Sequence, residues 1–193
     1  MSGFRIVVLA SGSGTNLQAI LDRLHGREGI EVVGVGSDKS GARALERAKA
    51  VGVETAVFPR DEYAEREARD GAMGDWIEAR GADLVVLAGY MQLLSPSFVR
   101  RFRNRIVNVH PALLPDFPGL DAIGQALEAG VEVTGVTVHF VDEGVDTGPV
   151  IAQREVPVPT DRDRAALEEA IRMIARGAVR IGGGDQSVVS IDE

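Results

Sequence analysis

Apolar residues along this 193-residue chain follow two rhythms: short unbroken runs, and longer stretches with a three-to-four spacing. Phe4–Ala10, Ile30–Gly36, Thr55–Phe58, Asp83–Ala88 and Arg105–His110 are β-branched and mostly uninterrupted. Strands buried on both faces, as in a parallel sheet covered by helices, have that composition. The intervening stretches Asn16–His25, Gly41–Val51, Asp61–Arg80 and Ser95–Arg103 predict helices. In the first of them, Leu17, Ile20, Leu21 and Leu24 fall on one face. Repeated strand–helix–strand units imply right-handed crossovers and a doubly wound, mostly parallel α/β sheet.

The pattern changes after Pro111. The loop Leu113–Gly119 is rich in turn formers, and a short helix about Ala122–Ala129 is ended by Gly130. Val131–Val141 and Pro149–Val156 read as two longer strands joined by Asp142–Gly148. That connection suits a late antiparallel pair completing the sheet. A last helix over roughly Asp163–Arg176 and a small hairpin around Gly182–Gly184 finish the chain. The expectation is one domain, with halves of about residues 1–104 and 105–158 and a C-terminal helix and tail over 159–193.

Composition narrows the function. Apolar residues make up 45% and charged residues 26%, an ordinary globular mixture. Twenty-one basic residues against twenty-nine acidic ones leave a net charge of −8, which offers nucleic acid no broad basic face. The absence of cysteine excludes disulfides, zinc–thiolate sites and thiol chemistry, and fits a reducing compartment. The N-terminal apolar run is too short for a membrane span and lacks a signal peptide's flanks, so the expectation is a soluble, cytoplasmic protein. His25, His110 and His139 show no ligand spacing, so no metal is predicted.

Three places carry candidate chemistry. The loop Ser11–Asn16 (Ser-Gly-Ser-Gly-Thr-Asn) lies between the first strand and first helix, where glycines and a helix N-terminus receive anions. It lacks the third glycine of a dinucleotide fingerprint and the lysine of a P-loop, so a phosphate on a small molecule fits better. The plainer alternative is a tight turn capped by Thr15 or Asn16. Asn108 and His110 lie two apart at the carboxyl end of the fifth strand, so both side chains leave one face. An amide beside a titratable imidazole suits an oxyanion forming at a carbonyl; the plainer alternative is that both tie down the following loop. Asp146 lies in the glycine-flanked loop between the late strands, where a carboxylate can turn toward His110 and relay a proton. Asp142 and Glu143 share that loop, and local sequence does not choose among the three. His139, on the preceding strand, either lines the same cleft or faces solvent. Trp76 reads as packing, and the charge density of Asp61–Arg80 as a solvated helix face.

Four ordered stretches, VVLASGSGTNLQAILD, DLVVLAGYMQLLSPSFV, IVNVHPALLPDFPG and VTGVTVHFVDEGVDTGPVIAQ, closely resemble the folate-dependent phosphoribosylglycinamide formyltransferase family. The resemblance runs from about Arg5 to Pro157. It implies that 10-formyltetrahydrofolate, a co-substrate, donates a formyl group to the amine of glycinamide ribonucleotide in purine synthesis, without metal. By motif, it implies that Asn108, His110 and Asp146 are the catalytic trio. Gly12, Ser13, Gly14, Thr15 and Asn16 match the substrate phosphate site, making residues 1–104 the phosphate-binding half. Met91, Gln92, Leu93 and Leu94, with Val141, Asp142 and Glu143, resemble the pterin-holding wall, and Arg60 aligns with an arginine near the folate. The family usually has a basic residue where Gln92 stands and a histidine where Asp121 stands. After Val158 it has a longer helical segment bearing a Glu-His pair. Here Pro159–Arg164 runs almost directly into Ala170–Gly177, shorter by about three helical turns, and Asp163 falls nearest the missing glutamate.

Other readings share the core motifs. A formyltetrahydrofolate deformylase transfers formyl to water, which needs no phosphate grip and usually brings an N-terminal regulatory domain. A methionyl-tRNA formyltransferase needs an extra domain and a basic surface. A catalytically impaired folate- or nucleotide-binding protein is the alternative if the short C-terminal segment is genuine. The expected partners are the ribonucleotide and formyl-folate, with no nucleic acid or membrane, and a homo-oligomer is compatible with the sequence.

Overall fold

A computed structural model describes residues 3–157 and, further on, the backbone of residues 179–181 and 189–191. The chain divides into two compact units, Met1–Ile106 and Val107–Glu193. The first contains β1 (Phe4–Leu9), α1 (Thr15–Arg23), β2 (Ile30–Ser37), α2 (Arg43–Ala50), β3 (Thr55–Val57), α3 (Arg66–Glu78), β4 (Leu84–Leu87) and α4 (Pro96–Arg101). Its strands pair in the order β3-β2-β1-β4, all parallel. Ile6, Val7, Val8 and Leu9 are fully buried, as strands covered on both faces require. Burying each such side chain stabilises by about 1.5–3 kcal/mol. Gly34 on β2 makes room for Trp76 of α3, since a Cβ there would lie 2.7 Å from the indole. The indole also meets Phe58 edge-on, and the Arg80 guanidinium lies over it. Trp76 is therefore packing, as the sequence implied.

β5 (Ile106–His110) opens at the border of the second unit, followed by α5 (Ala122–Glu128), β6 (Val133–Phe140), β7 (Val150–Pro157), β8 (Val179–Ile181) and β9 (Val189–Ile191). β5, β6 and β7 are successively antiparallel, and Asn108 faces His139 across the first ladder. The expected fold class, a mostly parallel α/β sheet with a late antiparallel pair, is the one found. β8 and β9 pair antiparallel on either side of the hairpin expected at Gly182–Gly184, while the helix expected at Asp163–Arg176 lies outside the described residues. Among the described residues no helix is long and apolar enough to cross a membrane.

Two expectations on the third helix fail. The predicted start at Asp61 gives way to a single 3-10 turn, Arg60–Glu62, and an extended Tyr63, so the helix begins at Arg66. Between Asp61 and Glu65 only Tyr63 is even half-buried, so no apolar face holds a helical nucleus there. Nor is the charge of this stretch all solvated. Arg69 and Asp70 are buried and paired, a partnership that helical periodicity alone does not reveal.

Candidate active site

The β5–β6 register brings Asn108, His110 and His139 to one place, and the loop after β6 adds Asp146. Asn108 Nδ2 lies 3.4 Å from Asp146 Oδ1 and 3.3 Å from His139 Nε2. His110 Nδ1 lies 3.3 Å from Asp146 Oδ2, and His139 Nε2 lies 3.4 Å from Asp146 Oδ1. His139 is buried, its Nδ1 donating to the Phe140 carbonyl at 2.9 Å, so it belongs to the cluster and does not face solvent. His110 Nε2 donates to the Phe117 carbonyl at 2.8 Å. Both His110 nitrogens thus face oxygen acceptors, an arrangement that the doubly protonated ring satisfies completely. His110 therefore ties down the following loop and faces the carboxylate at once. The long contacts are of the kind that tighten when a substrate closes on them.

Asp146 is selected over its loop neighbours by backbone geometry. Its φ of 55° is left-handed, which Asp tolerates better than most residues, and it turns the side chain inward. There the Gly119 amide donates to Oδ2 at 2.8 Å. Asp142 instead accepts from the Gly144 amide at 3.0 Å and the Thr147 hydroxyl at 2.7 Å, becoming the turn aspartate of the loop. Glu143 is exposed and Val141 half-buried. Burial pushes the Asp146 carboxyl up, but the His139 hydrogen bond, the Gly119 amide and the nearby imidazoles together pull it below the usual aspartate range. The loop carrying Phe117 and Gly119 is held by Thr137, whose hydroxyl donates to the Ala112 carbonyl at 2.6 Å and accepts from the Leu114 amide at 3.0 Å.

In the first unit, the loop from Ser11 leads into α1 through Gly14, the N-cap residue, with φ 67° and no side-chain cap. The capping expected of Thr15 or Asn16 is therefore absent, because a left-handed glycine already closes the turn. The Gly12 carbonyl accepts from the Ala44 amide at 3.1 Å, and the Ser13 carbonyl from Arg47 Nε at 2.8 Å. In trans peptides the N–H opposes the C=O, so the Ser13 and Gly14 amides turn away from α2. Asn16 is buried with Oδ1 unpartnered. Outward amides at a helix N-terminus are suited to receive an anion.

Beside this loop lies the segment after β4, tied to it by the Met91 amide donating to Ser11 Oγ at 2.8 Å. Met91 and Leu93 are 51% and 56% exposed, whereas Gln92 and Leu94 are half-buried. Arg60 is exposed at the start of the 3-10 turn. Sequence reasoning missed Arg47, which fastens the Ser11–Asn16 loop, and the buried Arg69–Asp70 pair beneath residues 92–95. A charged residue on the apolar side of its helix was the available signal for both. Among the described residues, no group of three or more His, Cys, Asp or Glu is arranged to hold a metal ion.

Comparison with known proteins shows the family. The formyl transferase family profile matches residues 4–179. The phosphoribosylglycinamide formyltransferase of Mycobacterium tuberculosis is 45% identical over 172 residues, covering 89% of this chain and 80% of that protein. The trifunctional purine biosynthetic protein adenosine-3 of Drosophila melanogaster is 46% identical over 170 residues, but the match covers only 13% of its length against 86% of this chain. A crystal structure of glycinamide ribonucleotide transformylase 1 from Symbiobacterium toebii superposes with a TM-score of 0.89 at 46% identity, covering 100% of this chain and 95% of that one. With sequence and fold in agreement, the chain belongs to the formyl transferase family.

Proposed function

We propose that this chain transfers the formyl group of 10-formyltetrahydrofolate to the amine of glycinamide ribonucleotide, a step of purine biosynthesis. The observation that carries the reading is the Asp146 carboxylate, kept ionised among His110, His139 and Asn108. The substrate amine attacks the formyl carbon, forming a C–N bond and a tetrahedral oxyanion. The Asn108 amide and the His110 imidazole stabilise that oxygen, each well-placed donor contributing roughly 3–4 kcal/mol. Asp146 takes the proton from the attacking nitrogen and passes it to folate N10 as the C–N10 bond breaks, so no proton is gained or lost overall. His139 steadies Asp146 through the contact of its Nε2 with Oδ1. The outward amides at Ser13 and Gly14 grip the ribonucleotide phosphate, and Met91–Leu94 supply apolar contacts to the pterin.

The test supplies 10-formyltetrahydrofolate with glycinamide ribonucleotide, with charged initiator tRNA, or with water alone, and follows folate absorbance. Turnover with the ribonucleotide only is expected. Equal turnover with water would make the chain a deformylase and overturn the reading.

A further inference from the structure

Arg69 and Asp70, adjacent on α3, are 2% and 1% exposed. Arg69 donates through Nε and Nη2 to Asp70 Oδ1 at 2.9 and 2.7 Å. The second Asp70 oxygen accepts the Ser95 amide at 2.6 Å. The guanidinium's outer edge reaches Gln92 Oε1 and the Leu93 carbonyl, each at 3.3 Å. Gln92 Nε2 donates in turn to Asp38 Oδ2 at 2.9 Å. The segment is therefore held by the side chain of residue 92, the carbonyl of 93 and the amide of 95, all through one buried ion pair.

A buried ion pair is a weak source of stability, because desolvating both charges offsets their attraction. What this one does achieve is geometric. It pins the polar backbone of the segment inward while the Met91 and Leu93 side chains stay about half exposed. Apolar groups held out by a rigid polar anchor are suited to receive the face of a flat ring.

We infer that Arg69 is a positioning residue for formyl-folate: its guanidinium sets the conformation of Gln92–Ser95, and through it the apolar surface met by the pterin. The inference rests on the proposed function. Lysine at 69 keeps a charge against Asp70 but lacks the planar fork needed to reach Gln92 and Leu93 as well. The end of the Gln92 side chain already lies 3.3 Å from the present guanidinium, so an arginine at 92 can place its own fork in the space that a shorter residue 69 would vacate.

The experiment measures KM for each substrate, kcat and Tm for wild type, Arg69→Met, Arg69→Lys and Arg69→Met with Gln92→Arg. Both single variants are expected to raise KM for formyl-folate about 10-fold, leaving kcat and the ribonucleotide KM within about 3-fold, the pattern of lost uniform binding to one substrate. The double variant is expected to recover most of the folate KM. If Arg69→Met does not fold, Arg69→Lys carries the comparison at a Tm near that of wild type. A folded Arg69→Lys with wild-type folate KM overturns the inference, and so does a parallel change in both KM values and kcat. Wild-type protein that transfers no formyl group overturns the proposed function instead.

Discussion

Replacing Asp146 with asparagine tests the proposed chemistry most directly. The carboxylate stands 3.3 Å from His110 Nδ1, so at an effective dielectric near 20 the attraction to a charged imidazole is about 5 kcal/mol. That figure bounds the effect from above, since only the part that grows as charge develops on the substrate lowers the barrier. Loss of a positioned proton acceptor costs about 10²–10⁴-fold in rate. The amide brings a second penalty: its NH2 must face either the Gly119 amide or the Asn108 side, setting donor against donor. The expected result is a kcat lower by about 10³-fold, equivalent to about 4 kcal/mol. KM for the ribonucleotide should stay within about 3-fold, because the anion loop is untouched. Steady-state folate absorbance reads both numbers, and circular dichroism checks the fold. A folded Asp146→Asn enzyme retaining a tenth or more of wild-type kcat would refute the assignment of proton transfer to this carboxylate.

Further expectations follow from the same geometry. Because folding lowers the Asp146 pKa, the stability it contributes is fully present above the unfolded value of about 4 and is lost as pH falls through the lower folded value. Urea denaturation should therefore show the gap between wild type and Asp146→Asn narrowing below about pH 4, and a gap that widened there would contradict the sign. Gly14→Ala forces a left-handed alanine, about 1–2 kcal/mol. It also drives a Cβ to 2.8 Å from Ala44. The ribonucleotide KM should rise several-fold or more while the folate KM holds, and unaltered ribonucleotide kinetics would remove this loop from the phosphate site. Trp76→Ala removes the indole between Phe58, Gly34 and Arg80. A stability loss of about 2–3 kcal/mol is expected, below the fully buried range because Trp76 is half-exposed, with kcat and both KM values nearly unchanged.

Much of the site is legible along the chain because its information is local. Asn108 and His110 share a face by strand period, and the glycine loop sits between a β-branched run and an amphipathic stretch. The choice among Asp142, Glu143 and Asp146 was not legible: it turns on one left-handed φ and on the Gly119 amide, 27 residues away. His139 was ambiguous for a related reason. A strand residue's face is known relative to its neighbours, but which face meets the cluster depends on pairing with β5. The solvated reading of α3 failed at Arg69 and Asp70 because a charge is assigned to solvent by default until a buried partner is known.

What the amino-acid order determined by itself was the alternation of buried strands and one-faced helices, the late antiparallel pair, and the positions of the glycine loop and the amide–imidazole couple. These follow from hydrophobic periodicity and turn chemistry, which act over a few residues. Tertiary structure alone decided which carboxylate faces His110, that His139 supports it, and that an arginine–aspartate pair lies beneath the segment after β4. Those outcomes depend on burial and on contacts between distant segments, such as Arg69 with Gln92 and Asn108 with Asp146, 23 and 38 residues apart, so their energies exist only once the chain has folded.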